Sequence, residues 1–162
     1  MTDFFKPTMQ ANTEAKAQLN LLSHPHSHSN LNSQAMPKAV VQLLLKQDQQ
    51  VLLGLRQNTA IYDQHWSLPC GKVERLENIQ HALVREAYEE LGIKLQQITL
   101  LAQRSDKNLN QHFIFLGQQW QGQIHNQEPH LCQRLQWFDI KRLPINCAPI
   151  TLFSLLKLWP RY

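Results

Sequence analysis

The sequence predicts an α/β fold in which a mixed β-sheet is flanked by helices. Two apolar, β-rich runs separated by a short polar stretch come first, and a helix with clear start and stop signals follows. Further strand patterns then precede a closing helical pattern. With 162 residues, the chain has room for one domain with a sizeable core plus a tail.

Residues 1–36 are rich in Asn, Gln, Ser and His, so we expect a polar, flexible N-terminal tail ahead of a domain over residues 37–162. A short helix over residues 11–22 is compatible with this tail. Its segment "SHPHSHS" alternates His24, His26 and His28, a spacing that can capture a transition metal. A solvated polar linker is the favoured interpretation.

The first elements of the domain are predicted to form a hairpin. "KAVVQLLLK" and "QVLLGLR" indicate strands over Ala39–Leu45 and Val51–Arg56, joined through the polar "QDQQ". A polar loop follows, and then "HWSLPCGKVE", in which Pro69 and Gly71 exclude a long regular element.

The next element is a helix over Ile79–Leu91, a stretch without Gly or Pro. Asn78 suits its N-cap, and Gly92 suits the left-handed position that ends a helix. Strand patterns then occupy residues 95–103, 111–120 and 134–140, and a helical pattern occupies residues 149–159.

Acidic residues continue the apolar stripe of this helix. On a wheel of about 100° per residue, Glu86 and Glu90 fall on the same face as Leu83, and Glu89 lies on its shoulder. Like charges at this spacing repel, and the C-terminal end of the helix dipole adds a further penalty of roughly 0.3–1 kcal/mol per charge. Arg85 is placed to orient one of the carboxylates. A hard divalent cation would neutralise the group, whereas an acidic surface patch is the simpler alternative.

A sequence signature decides between these alternatives. From Gly71 the chain reads Gly, five residues, Glu77, seven residues, and then Arg85, Glu86, Ala87, Tyr88, Glu89, Glu90, Leu91, Gly92 and Ile93. This pattern resembles the signature of the Nudix hydrolase superfamily at every fixed position, and "HWSLPCGKVE" is similar to the approach to it in MutT-like members. The resemblance covers about residues 37–159.

The resemblance implies a Nudix-type α/β/α sandwich with a mixed β-sheet. It also implies hydrolysis of a nucleoside diphosphate linked to another group, by attack of water on phosphorus with Mg²⁺ or Mn²⁺. The implied metal ligands are Glu86, Glu89, Glu90 and the backbone carbonyl of Cys70, with one glutamate helping to activate the water. Arg85 would hold a catalytic carboxylate in place, and Glu77 would support the site through water or a salt bridge.

Further residues are candidates beyond the signature. Glu128, in the loop "HNQEPH", is placed like the later glutamate of MutT-like enzymes, although an ordinary loop acid is the alternative. The resemblance also makes Arg56 a candidate phosphate contact, and a surface charge at a strand end is the alternative. Trp66 is a candidate for stacking on a base, as are Phe113, Phe115 and Trp120, but alternation of the two phenylalanines favours a core position for them.

The chain departs from the family pattern at two places near the signature. Cys70 replaces a small Gly or Ala, and Arg75-Leu76 replaces a Gly-small pair. A nucleophilic role for Cys70 is disfavoured because the chemistry of the family uses water. Both changes can shift the loop, but neither removes a ligand.

A nucleoside triphosphate cleaved to the monophosphate and pyrophosphate is the first substrate hypothesis. "SDKNLNQHF" lacks the Pro and Tyr that mark ADP-ribose and dinucleoside polyphosphate enzymes. The alternatives are a nucleotide-sugar hydrolase, a nucleotide-binding sensor without catalysis, and an acidic calcium-binding or protein-docking helix. Retention of all five charged signature residues favours catalysis.

Composition limits the compartment and the partners. A net charge of +4 from scattered basic residues favours a phosphorylated small molecule over a stable nucleic-acid complex. No apolar run approaches the roughly twenty residues that cross a membrane. Three cysteines without a C-x-x-C pair suggest reduced thiols, so we expect a cytoplasmic protein.

Overall fold

A computed structural model describes residues 38–159. The predicted tail, its short helix over residues 11–22 and the segment with His24, His26 and His28 lie outside the described residues.

Seven strands and two helices make up the part of the chain from residue 38 to residue 159. They are β1 (Ala39–Gln47), β2 (Gln50–Arg56), β3 (Trp66–Ser67), β4 (Cys70–Lys72), α1 (Ile79–Leu91), β5 (Lys94–Ser105), β6 (Gln111–Gln121), β7 (Cys132–Asp139) and α2 (Pro149–Leu158). Neither of these two helices is long and apolar enough to cross a bilayer.

The strands form one mixed sheet, as predicted. Strand β1 lies at its centre, parallel to β6 and antiparallel to β2 and β4. On one side β6 pairs with β5, and on the other β2 pairs with β3 and β7, antiparallel in each case. The parallel pairing of β1 with β6 requires a long crossover, which contains β2, β4 and helix α1.

Central strands are buried on both faces, so the sheet has a core on each side. Val41, Leu43 and Leu45 of β1 pack with Leu83 of α1. The intervening Leu44 belongs to the opposite core, which includes Leu155 of α2. Because successive side chains of a strand point to opposite faces, this division gives an α/β/α sandwich, which confirms the predicted fold class.

The predicted hairpin and helix limits agree closely with the structure. Strands β1 and β2 follow each other directly, with Gln47 paired to Gln50. Helix α1 has the predicted bounds; the Asn78 side chain accepts hydrogen bonds from the N–H groups of Gln80 and His81. Gly92 ends the helix with a φ of 70°, in the left-handed region.

A tight turn before α1 holds a leucine in an unfavourable conformation. The Glu77 N–H donates to the Glu74 carbonyl oxygen at 3.2 Å, and between them Leu76 has a φ of 68°. The Leu76 side chain is 99% exposed, so packing does not compensate for the strain. This is one of the two departures from the family pattern, where small residues are usual.

Replacing Leu76 by Gly is therefore expected to stabilise the protein. A side chain in the left-handed region costs roughly 1–2 kcal/mol, and the greater freedom of glycine in the unfolded chain returns part of this. We expect a net gain of roughly 0.5–1 kcal/mol, measured by urea denaturation. Leu76→Ala is the matched control, because it shortens the side chain but keeps the strain, and it should leave stability unchanged. A less stable Gly variant would mean that the leucine makes a contact worth more than the strain.

Candidate active site

Helix α1 and strand β4 approach each other at Gly71. A carboxylate from the helix fills the space beside this residue, so residue 71 itself cannot carry a side chain. A Cβ atom at residue 71 would lie 1.7 Å from the carboxyl carbon of Glu86. Glycine thus lets Glu86 lie directly against the β4 backbone. The signature glycine and the signature glutamate are in contact for this reason.

Arg85 is the centre of a network of carboxylates. Its Nε and Nη2 atoms donate to Oε1 and Oε2 of Glu77, both at 3.0 Å, and its Nη1 donates at 2.8 Å to Oε1 of Glu86 and to Oε2 of Glu89. Nη2 also donates to the Lys72 carbonyl oxygen at 2.9 Å. The expectation that Arg85 orients one carboxylate was too narrow. The forked guanidinium presents several donors at the end of a long side chain, so it reaches three.

The same network fixes the turn that precedes the helix. Glu77 accepts both from Arg85 and, through Oε2, from the Glu74 N–H at 3.1 Å. The hydrogen bond from Arg85 is the main cause that lowers the pKa of Glu77, and Glu77 in turn raises the pKa of Arg85. The salt bridge expected of Glu77 is present, and it joins the signature loop to the helix.

Glu90 faces the backbone of β4 rather than Arg85. Its Oε2 accepts from the Cys70 N–H at 3.0 Å. Burial raises the pKa of Glu90 well above its ordinary value, and the charges of Glu86 and Glu128 raise it further. Burial also raises the pKa of Glu86, against the opposing effect of Arg85. Desolvation is thus the main cause of both pKa shifts, and repulsion between neighbouring carboxylates adds to it.

Glu128 is brought to this group by the loop between β6 and β7. The Gln127 N–H donates to the Glu90 carbonyl oxygen at 3.0 Å, which joins the loop to the last turn of α1. The charge of Glu128 contributes to raising the pKa values of both Glu86 and Glu90. A residue 38 positions beyond Glu90 in sequence is thus a neighbour of Glu90 in space.

Arg56, at the end of β2, provides a second cation beside the acids. Its Nη1 lies 3.9 Å from Sγ of Cys70, and its Nε donates to the Ile61 carbonyl oxygen at 3.2 Å. The charge of Arg56 lowers the pKa of Glu90, although burial and the other acids outweigh it. Arg56 therefore lies beside Cys70, the residue whose backbone N–H donates to Glu90.

The Cys70 thiol is held in its protonated form. Burial, followed by the charge of Glu90, raises its pKa to about 12. Because the thiolate is the nucleophilic form of cysteine, this environment argues against a nucleophilic role, in line with the sequence prediction.

Comparison with known proteins adds a decisive observation. The family model described as NUDIX domain matches residues 36–156, about three quarters of the chain. The chain belongs to the Nudix family.

Nudix relatives of known structure and sequence agree with this assignment. The crystal structure of a MutT Nudix hydrolase from Burkholderia pseudomallei superposes with a TM-score of 0.70 at 30% identity, covering 75% of this chain and 98% of that one. An 8-oxo-dGTP diphosphatase from Buchnera aphidicola is 28% identical over 104 residues, which are 63% of this chain and 78% of that protein. The predicted family is confirmed: this is a MutT-like member of the Nudix hydrolases. These enzymes hydrolyse acid anhydrides that contain phosphorus.

Another relative is considerably longer than this chain. An 8-oxo-dGDP phosphatase from Danio rerio is 33% identical over 99 residues, which are 60% of this chain but 30% of that protein. The match thus spans less than a third of the length of this relative.

The donor set suits a hard divalent metal, but the carboxylates do not form a ready-made cage. Within residues 38–159, no three His, Cys, Asp or Glu side chains are arranged to hold a metal ion. Glu86 and Glu89 are turned to Arg85, and Glu90 is turned to the Cys70 N–H. Carboxylate oxygens are nevertheless the ligands that Mg²⁺ and Mn²⁺ prefer, so the residues fit such an ion.

The predicted aromatic residues lie mainly in the core. Trp66 is 5% exposed, with its ring 4.6 Å from that of Phe138 and the Arg134 guanidinium 5.3 Å from its centroid. This burial leaves little of the ring for a base to stack on. Phe115 and Phe113 pack in the α1-side core, as their alternation predicted.

Sequence reasoning missed Cys132 and Asn126, which border the site. Sγ of Cys132 would lie 3.1 Å from a Cβ at Gly54, and burial followed by the charge of Glu90 raises the pKa of this thiol. The Asn126 side chain is bonded within the Glu128 loop. Neither residue belongs to a local motif, so the pairing of β7 with β2 was needed to find them.

Proposed function

We propose that this protein is a divalent-metal-dependent pyrophosphohydrolase that converts a nucleoside triphosphate to the monophosphate and pyrophosphate. Water would attack phosphorus and the phosphoanhydride bond would break, with the water proton passing to a glutamate. The observation that carries the proposal is the convergence of Glu86, Glu90 and Glu128 beside Arg56, with the pKa values of Glu86 and Glu90 raised. Carboxylates whose ionised form is made costly by burial and mutual repulsion favour binding of a cation together with a polyphosphate.

The proposed metal ligands are Glu86, Glu89, Glu90 and the backbone carbonyl of Cys70, with Mg²⁺ as the first choice and Mn²⁺ as a substitute. A bound ion would neutralise negative charge on the phosphate oxygens during phosphoryl transfer. Strand β4 and helix α1 bring these groups together from the two ends of the signature.

The remaining charged residues have separate proposed roles. Arg85 would hold Glu86 and Glu89 in their orientations, and Glu77 would fix Arg85 through its paired hydrogen bonds. Arg56 would contact a phosphate, because a guanidinium can donate two hydrogen bonds to phosphate oxygens. Glu128 would act as, or assist, the base that accepts the water proton. Trp66 stays a predicted base contact, which its burial disfavours.

Two other functions remain as alternatives. A nucleotide-sugar hydrolase would use the same carboxylates on a different diphosphate, and a sensor would bind a nucleotide without turnover. A sensor has no need of a partly buried, mutually repelling carboxylate pair such as Glu86 and Glu90, so the raised pKa values favour catalysis. We propose a small-molecule substrate, with no stable nucleic-acid complex, and a cytoplasmic location.

The test is a substrate panel with the full chain and Mg²⁺. The panel should contain the ordinary nucleoside triphosphates, nucleotide sugars and 8-oxo-dGTP, the last because of the activity for which the Buchnera relative is named. We expect pyrophosphate from at least one triphosphate, and no release when EDTA removes the metal. Turnover of a nucleotide sugar alone would favour the first alternative. Tight binding without turnover across the panel would favour the sensor and refute the proposal.

A further inference from the structure

The main chain of Glu128 is fixed at both of its polar groups. Its N–H donates to Oδ1 of Asn126 at 3.1 Å. Its carbonyl oxygen accepts from the N–H groups of Leu131 and Cys132, at 3.0 and 2.9 Å. With both groups engaged, the Cα–Cβ direction of Glu128 is set by the loop, and the carboxylate can move only through its own side-chain torsions.

Asn126 closes this loop with both ends of its amide. Beyond the bond to Glu128, its Nδ2 donates to the Cys132 carbonyl oxygen at 2.6 Å. The orientation of the amide follows from its partners, because a backbone N–H can only donate and a carbonyl can only accept. An aspartate could keep the first bond but has no N–H for the second, and an alanine makes neither.

The loop is also anchored to the helix that carries the other acids. The His125 N–H donates to the Leu91 carbonyl oxygen at 3.1 Å, beside the bond from Gln127 to Glu90. These carbonyls lie in the last turn of α1, where intrahelical donors are lacking. Asn126 therefore lies between a fixed anchor on the helix and the carboxylate of Glu128.

We infer that Asn126 is a positioning residue that directs Glu128 toward Glu86 and Glu90. The inference rests on the proposed function, in which Glu128 assists catalysis. The hydrogen bond from the Gln127 N–H to the Glu90 carbonyl oxygen places Glu128 next to the end of α1 that carries these glutamates. A displacement of about 1 Å in a catalytic group can cost up to roughly a hundredfold in rate, so loss of the two amide bonds should lower kcat.

A double-mutant cycle on the full chain tests this inference. The variants are Asn126→Ala, Glu128→Gln and the double substitution, assayed with Mg²⁺ and the best triphosphate of the panel. Asn126→Ala alone should lower kcat about tenfold, with KM changed less than about threefold. In the Glu128→Gln background, Asn126→Ala should have no further effect beyond about twofold, because the group through which it acts is gone.

Three results would overturn the inference. Equal losses from Asn126→Ala with and without Glu128 would show that Asn126 acts on stability or on another group. An unchanged kcat for Asn126→Ala would show that the loop holds Glu128 without it. A Glu128→Gln variant with wild-type kcat would remove the target of the positioning, whereas failure of the proposed function itself would appear earlier, as a wild-type protein without turnover.

Folding is checked separately. Thermal unfolding of each variant is measured, and Asn108→Ala in the turn between β5 and β6 serves as a matched surface substitution with wild-type kcat. If Asn126→Ala does not fold, Asn126→Asp replaces it in the cycle. This variant keeps the acceptor for the Glu128 N–H and should lose part of kcat only where Glu128 is present.

Discussion

Replacing Glu90 by Gln is expected to abolish metal-dependent hydrolysis while making the metal-free protein more stable. Glutamine keeps an oxygen that can accept from the Cys70 N–H, which Glu90 holds at 3.0 Å, but it removes the charge. Loss of a proposed metal ligand should lower kcat by at least roughly a hundredfold, because outer-shell changes alone cost 10–100-fold.

The gain in stability follows from the direction of the Glu90 pKa shift. Burial and the neighbouring acids raise its pKa in the folded state above the ordinary value of 4.5. Below that value both the folded and the unfolded chain are protonated, and Glu90 adds no penalty. As pH rises, the unfolded chain ionises first, so the stability of the wild type falls until pH passes the folded-state pKa. The Gln variant does not ionise and escapes this loss.

Thermal unfolding in EDTA between pH 4.5 and pH 8 measures the effect. The Tm difference between Glu90→Gln and wild type should be near zero at the acid end and should grow with pH. Each unit of pKa shift corresponds to about 1.4 kcal/mol. Glu89→Gln is the control for stability, because the Glu89 side chain is 48% exposed and bonded to Arg85, so it should give no gain. If Glu90→Gln is less stable than the wild type at pH 8, the ionised Glu90 carboxylate does not destabilise the metal-free folded state, and the interpretation is wrong.

The sequence predicted the limits of helix α1 better than those of strand β5, because the signals at the helix ends are local. Asn78 and Gly92 gave the limits of α1 because a side-chain cap and a left-handed residue act within a few residues of the helix ends. Strand β5 is longer than its apolar pattern, Lys94–Ser105 against residues 95–103. Its pattern is irregular because most of its residues are partly or fully exposed, and pairing with β6 supports it through several register shifts.

In the candidate site too, the sequence predicted the residues with local spacing but not the contacts that depend on the tertiary fold. The signature identified Gly71, Glu77 and the helical acids because their spacing is local. It could not show that Arg85 contacts three carboxylates at once, since that depends on how the turn at Glu77 folds back on the helix. Nor could it show the role of Asn126, which depends on a loop that strand pairing brings to the end of α1.

Replacing Arg85 by Ala is expected to lower both stability and kcat. The variant leaves Glu77, Glu86 and Glu89 without their shared donor, and the side chains of Glu77 and Glu86 are each only 16% exposed. Because the arginine is itself a quarter exposed, solvent screens part of the loss, and we expect roughly 1–2 kcal/mol in urea denaturation. Loss of carboxylate orientation should lower kcat by up to roughly a hundredfold.

Replacing Arg85 by Lys separates charge from geometry. Lysine keeps the positive charge, but a single ammonium cannot make the paired bonds to Glu77 while donating to Glu86, Glu89 and the Lys72 carbonyl oxygen. If Arg85 acts by orienting carboxylates, Arg85→Lys should recover part of the stability and little of kcat. If Arg85 acts only by neutralising charge, kcat should recover together with stability in Arg85→Lys. A higher salt concentration should then also lower the stability and kcat of the wild type. Recovery of kcat in Arg85→Lys would therefore show that the positive charge at residue 85 supports catalysis. The forked geometry of the guanidinium would then have no catalytic role.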